Sequence, residues 1–117
     1  MGIYVIATEG NGLAGMPIKV GITCGDPKNR LSTLQTGSPY RLSLFAFFPG
    51  EFYFSRNIEH LFSIAHREKR LNGEWYAISP QAAKAWIVND LLQTAACFPS
   101  EMREEFLSEV GLLSEAQ

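Results

Sequence analysis

Two short segments near the start of the chain constrain the fold more than any other feature. Gly2-Ile3-Tyr4-Val5 and Ile18-Lys19-Val20-Gly21-Ile22 each alternate apolar and polar positions, which is the pattern of a half-buried β-strand. Pairing the two strands would bring the Tyr4 phenol and the Lys19 ammonium to one face of a small sheet, because alternate side chains of a strand share a face. The sequence therefore predicts a sheet that carries reactive groups near its centre.

Turn and capping signals divide the rest of the chain into further strands and helices. The predicted strands are residues 3–7, 18–23 and 41–48, with a short extended piece over 73–78 and a loop over 9–17. The predicted helices run from Pro27 to Thr36-Gly37, from a cap at Ser55 or Asn57 to about Leu71, from Ala82 to about Thr94, and from Pro99-Ser100 to near Gly111.

This order of elements predicts an α/β (α+β) fold: a small three-stranded, mainly antiparallel sheet flanked by helices, with extra C-terminal helices. In the second helix, four apolar residues at helical spacing form the predicted buried stripe: Ile58, Leu61, Phe62 and Ala65. Leu31 and Leu34 of the first helix are expected to face inward.

Length and composition indicate a single compact domain. The chain has 117 residues, of which 46% are hydrophobic, and no apolar run is long enough for a membrane span. The start lacks the features of a secretory signal. Cys24 and Cys97 are far apart and show no zinc-ligand spacing, so we expect both to be reduced packing residues of a cytoplasmic protein.

The charge is distributed unevenly along the chain. The formal net charge is −2, which argues against strong nonspecific binding to nucleic acid. Residues 1–70 hold eight basic and five acidic residues, whereas residues 71–117 hold two basic and seven acidic ones. The first part can face phosphate while the acidic part solubilises the protein or docks elsewhere; ordinary surface charge explains the same numbers.

Four residues supply the groups that phosphodiester hydrolysis needs. Mg²⁺ keeps most of its waters, so the single carboxylate of Glu59 is enough to anchor it. A cation beside Tyr4, such as Lys19, would favour the phenolate and let it accept a proton. Arg30 is placed to grip a phosphate oxygen. Each residue also has a plain structural interpretation: a sheet aromatic, a solvent lysine, a surface arginine and a favourable charge near a helix N-terminus.

In these motifs the sequence resembles the GIY-YIG endonuclease superfamily. Gly2-Ile3-Tyr4 matches the first signature, Lys19-Val20-Gly21 stands at the second, and Arg30 and Glu59 follow in order. The segments around these residues and Arg70 to Tyr76 resemble the T5orf172-type and Mug113-type branch over roughly residues 2–88. Lys19 replaces the second signature tyrosine, and the final family position falls on Asn72 or Glu74.

The resemblance implies a Mg²⁺- or Mn²⁺-dependent endonuclease that cleaves DNA in one step and leaves 5′-phosphate ends. In that picture Tyr4 accepts the proton of water with Lys19 assisting, Arg30 stabilises the developing charge, and Glu59 holds the metal. His66 and Glu74 are candidates for a supporting shell around Glu59. Residues 1–95 would form the nuclease domain and residues 96–117 a helical extension.

Two other functions fit the same sequence. In the first, the site no longer cleaves and the cations only grip phosphate, which makes the protein a nucleic-acid-binding or regulatory module. In the second, the acidic C-terminal helices mediate protein interaction. Because the chain has no room for a separate DNA-recognition module, specificity would come from its own loops, a homodimer or a protein partner.

Overall fold

A five-stranded sheet and four α-helices make up the fold. The computed structural model describes residues 1–9 and 17–112, with the side chains of residues 52 and 53 excepted. The strands are β1 (Gly2–Thr8), β2 (Ile18–Thr23), β3 (Leu42–Pro49), β4 (Arg70–Asn72) and β5 (Trp75–Tyr76). The helices are α1 (Pro27–Thr36), α2 (Phe52–Ala65), α3 (Pro80–Ala96) and α4 (Ser100–Glu109). Most of the loop predicted over 9–17 lies outside the described residues.

The sheet is antiparallel throughout, in the order β3-β1-β2-β5-β4. The α+β class is confirmed, but the prediction of three strands is wrong. The segment after α2 turns back on itself as the short β4–β5 hairpin, and β5 extends the sheet at the free edge of β2. Strands of two and three residues carry almost no periodic signal, which is why the sequence indicated only an extended piece here.

Strand β1 forms the centre of the sheet, and its side chains divide between the two faces. Ile3 and Val5 belong to the larger buried cluster, together with residues of α2 and α3. Tyr4 and Ile6 point to the other face, where Leu31 and Leu34 of α1 pack against them. The predicted inward orientation of these two leucines is therefore confirmed, and the sheet is covered on both sides.

The register of β1 and β2 confirms the expected grouping of Tyr4 and Lys19. Tyr4 lies opposite Gly21, and Ile6 lies opposite Lys19. Residues opposite each other in an antiparallel pair share a face, so Tyr4 and Lys19 are diagonal neighbours on the face that α1 covers.

Two helix starts follow the capping chemistry that the sequence predicts. The Asp26 carboxylate accepts a hydrogen bond from the Lys28 N–H at the start of α1, and the Ser79 hydroxyl accepts one from the Ala82 N–H at the start of α3. In both helices proline occupies the first turn, where its missing N–H costs nothing. Helix α4 also begins at Ser100 as expected, and Val110 after it joins the larger buried cluster.

Helix α2 differs from its prediction at both ends. It begins at Phe52 rather than after Ser55 or Asn57, and Ser55 is buried inside it. It ends at Ala65 instead of near Leu71, because a single 3₁₀ turn and then β4 follow. A polar residue that can cap a helix does so only where the chain turns, and here tertiary packing starts the helix earlier.

The predicted buried stripe of α2 is half right. Ile58 and Phe62 are buried, whereas Leu61 and Ala65 are exposed. The helix meets the sheet along the narrower line of Ser55, Ile58 and Phe62, and this line leaves its other flank free for polar residues.

The expectation that both cysteines serve as packing residues is wrong. Cys24 and Cys97 are free thiols at exposed positions, one just after β2 and the other at the end of α3. Both lie where a regular element ends and the chain turns at the surface, so neither reaches the core. No helix in the described parts of the chain is long and apolar enough to cross a membrane.

Phe62 connects α2 to the rest of the larger cluster. Its ring stacks on His66 at a centroid distance of 4.1 Å and meets the edges of Tyr76 and Trp86 at 5.0 and 5.3 Å. We expect Phe62→Ala to lower the free energy of unfolding by about 3–5 kcal/mol in urea unfolding, because it leaves a cavity among these rings. Phe45→Ala, at a partly exposed position of β3, is the matched control and should cost about 1 kcal/mol or less. Equal losses would contradict this assignment of the core.

Candidate active site

The Tyr4 hydroxyl lies between a cation and a carboxylate. Strand β1 buries the tyrosine almost completely, leaving 1% of it exposed. Arg30 Nε of α1 donates to the Tyr4 oxygen at 3.5 Å, and the same hydroxyl donates to Glu74 Oε1, also at 3.5 Å. Both contacts are long for hydrogen bonds, so each is weak. They show that the Tyr4 hydroxyl is the middle one of the three groups.

Lys19 meets the same carboxylate from β2. Its ammonium lies 3.5 Å from Glu74 Oε1 and 5.4 Å from the centroid of the Trp75 ring. Only 8% of the lysine is exposed, and a buried ammonium requires a compensating charge. Glu74 and the face of Trp75 supply that compensation, so the lysine at the second signature position is a fixed part of the site and not a solvent lysine.

Gly21 makes room for this contact. A Cβ atom at position 21 would collide with Glu74 Oε1 and with the Tyr4 hydroxyl, and would lie 2.7 Å from Tyr4 Cζ. The glycine of the second signature is therefore the point at which the phenol and the carboxylate approach the backbone of β2. The apolar–polar alternation of β2 does not by itself predict this role, although a glycine inside a strand is a known sign of close approach.

The β4–β5 hairpin sets the position of Glu74. Gly73 adopts a left-handed conformation with φ of +58°, and its carbonyl accepts a hydrogen bond from Arg70 Nε. The Glu74 carbonyl then accepts from the Val20 N–H at 3.1 Å, which ties the turn to β2. Of the two candidates for the final family position, Glu74 thus contacts the site, whereas Asn72 is exposed and pairs with Trp75 in the hairpin.

Glu59 faces the same region from α2. Its Oε2 is buried and has no hydrogen-bond partner among residues 1–9 and 17–112. Burial raises the pKa of this carboxyl above its usual range, and the nearby charge of Glu74 raises it further. The positive charges of Arg56, Lys19 and Arg70 act in the opposite direction. A partly buried carboxylate with a free oxygen is a costly arrangement for stability alone.

Tyr4 differs from the expectation that neighbouring cations favour its phenolate. Burial is the largest influence and raises the pKa of the Tyr4 hydroxyl. The hydrogen bond and charge of Arg30 lower this pKa, while the charges of Glu74 and Glu59 raise it. The phenol is thus neutral near pH 7, because burial and two carboxylates outweigh one guanidinium. The Arg30 pKa is in turn raised, mainly by its bond to Tyr4.

A hollow of about 720 Å³ opens beside Glu59 and Glu74. From α2 it is lined by Arg56, Asn57, Glu59, His60 and Ser63. From the β4–β5 hairpin it is lined by Arg70, Glu74 and Tyr76. Tyr4, Lys19 and Arg30 do not line this hollow, but Glu74 lines it and also contacts Tyr4 and Lys19, so Glu74 connects the two parts of the candidate site.

His66 lies elsewhere. Its ring packs on Phe62 and against Trp86, and its Nδ1 is 3.0 Å from the Phe62 carbonyl. It does not line the hollow that Glu59 faces. Glu59 and His66 are two helical turns apart in sequence, which predicted that they share a helix face. Helix α2 ends at Ala65, so His66 lies outside the helix that carries Glu59.

A family model for the T5orf172 domain matches residues 1–89. The chain belongs to the T5orf172 domain family. This family is associated with a GIY-YIG-like endonuclease fold. Searches of curated proteins and of solved structures give no match.

The matched range of the T5orf172 domain contains every group that the structure gathers around Tyr4, as well as Glu59. Helix α4 lies beyond that range, and its Phe106 ring packs against Phe98, which follows α3, at a centroid distance of 5.0 Å. The resemblance to Mug113-type domains stays a prediction.

The carboxylates of this T5orf172 domain fit a hard divalent cation. In the described residues no three His, Cys, Asp or Glu side chains converge, so a site built entirely from protein ligands is not present there. Mg²⁺ needs only one or two carboxylates and keeps water at its other positions. The Glu59 carboxyl, which lines the open hollow together with Glu74, meets that requirement.

The raised pKa of Glu59 leads to a stability prediction. Burial favours the protonated form of Glu59 over the ionised form. The free energy of unfolding therefore falls as the pH rises through the raised pKa of this carboxyl. Glu59→Gln should match the wild type in urea unfolding below about pH 4 and exceed it by roughly 1 kcal/mol at about pH 7, a figure reduced for partial exposure. Glu68→Gln, at an exposed position, is the control. A difference that does not depend on pH would contradict the assignment.

Proposed function

We propose that this protein is a metal-dependent endonuclease that hydrolyses phosphodiester bonds in DNA. The observation that carries the proposal is the contact series from Arg30 through Tyr4 and Glu74 to Lys19, together with the hollow that Glu59 and Glu74 line. A phenol, two cations and two carboxylates connected through Glu74 match the needs of phosphoryl chemistry: charge neutralisation, proton transfer and support of the leaving oxygen.

Arg30 and Lys19 would act on the phosphate as fixed positive charges. The Arg30 guanidinium uses one N–H on Tyr4, and its remaining donors are suited to the oxygens of a phosphate. Lys19 is held in place by Glu74 and Trp75, so little of its freedom is lost when substrate binds. Two preorganised cations stabilise the charge that accumulates in the transition state more than they stabilise the ground state.

Tyr4 and Glu74 would move the proton together. A neutral phenol can accept a proton from water only if it gives up its own proton. The Tyr4 proton is directed at Glu74 Oε1, which can receive it. As water attacks phosphorus, the Tyr4 oxygen would take the proton from water while the phenolic proton passes to Glu74. One O–H bond of water and the original Tyr4 O–H bond break, while new O–H bonds form at Tyr4 and at Glu74, so the negative charge passes from the Glu74 carboxylate to the attacking oxygen. Tyr4 remains the immediate acceptor, with Glu74 behind it.

Glu59 would hold the metal, Mg²⁺ or Mn²⁺, in the hollow that Glu74 also lines. When bound, such an ion neutralises phosphate charge and favours departure of the leaving oxygen. The protein's part is to place the Glu59 carboxyl at the hollow although burial disfavours its ionised form, and to keep the positive charge of Lys19 near enough to offset part of that effect. By analogy with the superfamily, the products would carry 5′-phosphates.

A non-catalytic module that binds nucleic acid is the second candidate. It is favoured by the tight pairing of Lys19 with Glu74 in place of the second signature tyrosine, because such a lysine provides charge without proton chemistry. In either case residues 1–95 would form the nucleic-acid-binding unit. The acidic residues of 96–117 would keep DNA away and leave α4 to a second copy or a protein partner that supplies specificity. The exposed free thiols suit a reducing cytoplasm.

The first test is cleavage of supercoiled DNA in Mg²⁺ or Mn²⁺. Tyr4→Phe should lower the nicking rate by about 10²- to 10⁴-fold, because it removes the group that transfers the proton. Glu59→Ala and chelation should abolish nicking, whereas Glu68→Ala should leave it unchanged. Binding without nicking under all metal conditions would favour the non-catalytic module. Nicking that survives in both site variants would indicate a contaminating nuclease.

The second test measures metal binding without reference to activity. At a hundredfold excess over its dissociation constant, Mg²⁺ should raise the free energy of unfolding of the wild type by about 2.7 kcal/mol in urea unfolding. Glu59→Gln should lose most of this increment, since the amide oxygen is a weaker ligand for a hard cation. Equal increments in the wild type and the variant would place the metal elsewhere.

A further inference from the structure

The hollow beside Glu59 is lined by two arginines, Arg56 and Arg70, to which the proposed reaction assigns no role. One polar stripe of α2 runs along the hollow, with its residues at helical spacing. They are Arg56, Glu59, His60 and Ser63. Arg70 faces this stripe from β4. Neither arginine pairs with a carboxylate anywhere in residues 1–9 and 17–112, in contrast to Lys19 and Arg41.

Arg70 is also held in a defined orientation. Its Nε donates to the Gly73 carbonyl within the hairpin, which leaves the terminal nitrogens directed away from that bond. A guanidinium that is fixed at one nitrogen and has no carboxylate partner is prepared to bind an anion at the other two. The Glu59 and Glu74 carboxylates line the same hollow, so an anion would be repelled beside them and attracted between the two arginines.

We propose that the part of the hollow between Arg56 and Arg70 binds a phosphate of the substrate strand that neighbours the phosphate being cleaved. This inference rests on the proposed function, because it places the cleaved phosphate beside Tyr4 and Glu74. A hollow of about 720 Å³ is large enough for a strand segment and is open to solvent. Contacts to phosphate fix the register of the strand and carry no base information.

Charge indicates which ligand binds between Arg56 and Arg70. The whole chain has a net charge of −2, so it cannot rely on a broad basic surface to attract DNA. A few directed contacts to consecutive phosphates of one strand would then supply most of the affinity. Arg56 and Arg70 are positioning residues in this arrangement, since they act on the strand and not on the reacting atoms.

Binding is tested in a Glu59→Gln parent, which blocks cleavage and removes one repelling charge. Fluorescence anisotropy with a short labelled DNA duplex, and with the matching single strand, gives the dissociation constant at several salt concentrations. Adding Arg56→Gln should weaken binding roughly tenfold. It should also reduce the slope of log K against log salt by about 0.9 on the duplex or 0.7 on the single strand. Arg70→Gln should act similarly.

Arg67→Gln is the matched control, because Arg67 is an exposed arginine three residues before Arg70 that lines a different hollow. It should change neither the dissociation constant nor the slope. In the wild-type background, Arg56→Gln should raise KM for cleavage with little change in kcat, as expected for a residue that positions the strand.

The possible failures can be told apart. If the wild type cleaves DNA and Arg56→Gln and Arg70→Gln behave like Arg67→Gln, the strand-binding assignment falls and the nuclease function stands. If the parent binds DNA through both arginines but the wild type never cleaves, the assignment stands as a binding site and the nuclease function falls. If the parent does not bind DNA at all, both are overturned.

Discussion

The close approach of Tyr4 and Glu74 over Gly21 is the constraint on which the rest of the site depends. Only a residue without a side chain lets the phenol of the central strand and the carboxylate of the hairpin meet above the backbone of β2. Once they meet, Glu74 offers one oxygen to both Tyr4 and Lys19, and Arg30 completes the series from the α1 side. Strands β1 and β2, the turn of the β4–β5 hairpin and helix α1 therefore meet at one point.

Burying these charged and polar groups together lowers the stability of the fold, and this indicates that they are present for function. Two carboxylates near each other, a buried phenol and a nearly buried ammonium each lose hydration on folding. Their mutual contacts compensate for part of the lost hydration. Glu59 Oε2 has no hydrogen-bond partner among the described residues, so its loss is not compensated. A chain selected for stability alone would fill the region with apolar residues, which are cheaper to bury. The cost is consistent with a site that gains its missing partners from a cation and a phosphate.

Prediction from sequence worked best where local chemistry and tertiary packing agree. The strands around Tyr4 and Lys19 and the helix starts at Asp26 and Ser79 follow from alternation and capping, which act between residues close in sequence. It worked least well after α2, where the helix was extended through what is a 3₁₀ turn and a strand. There the hairpin forms because β5 finds the free edge of β2, a contact between distant segments that no local pattern records.

The sequence by itself determined which groups are available and the order in which they occur: a phenol on the first strand, a lysine on the second, an arginine on the first helix and a glutamate on a later one. Tertiary structure decided how they act. It moved Glu74 from a supporting position to the carboxylate that joins Tyr4 and Lys19, placed His66 against Phe62, and kept the Tyr4 phenol neutral. The physical reason is that burial and long-range charge depend on what packs around a group, and neighbours along the chain do not specify this.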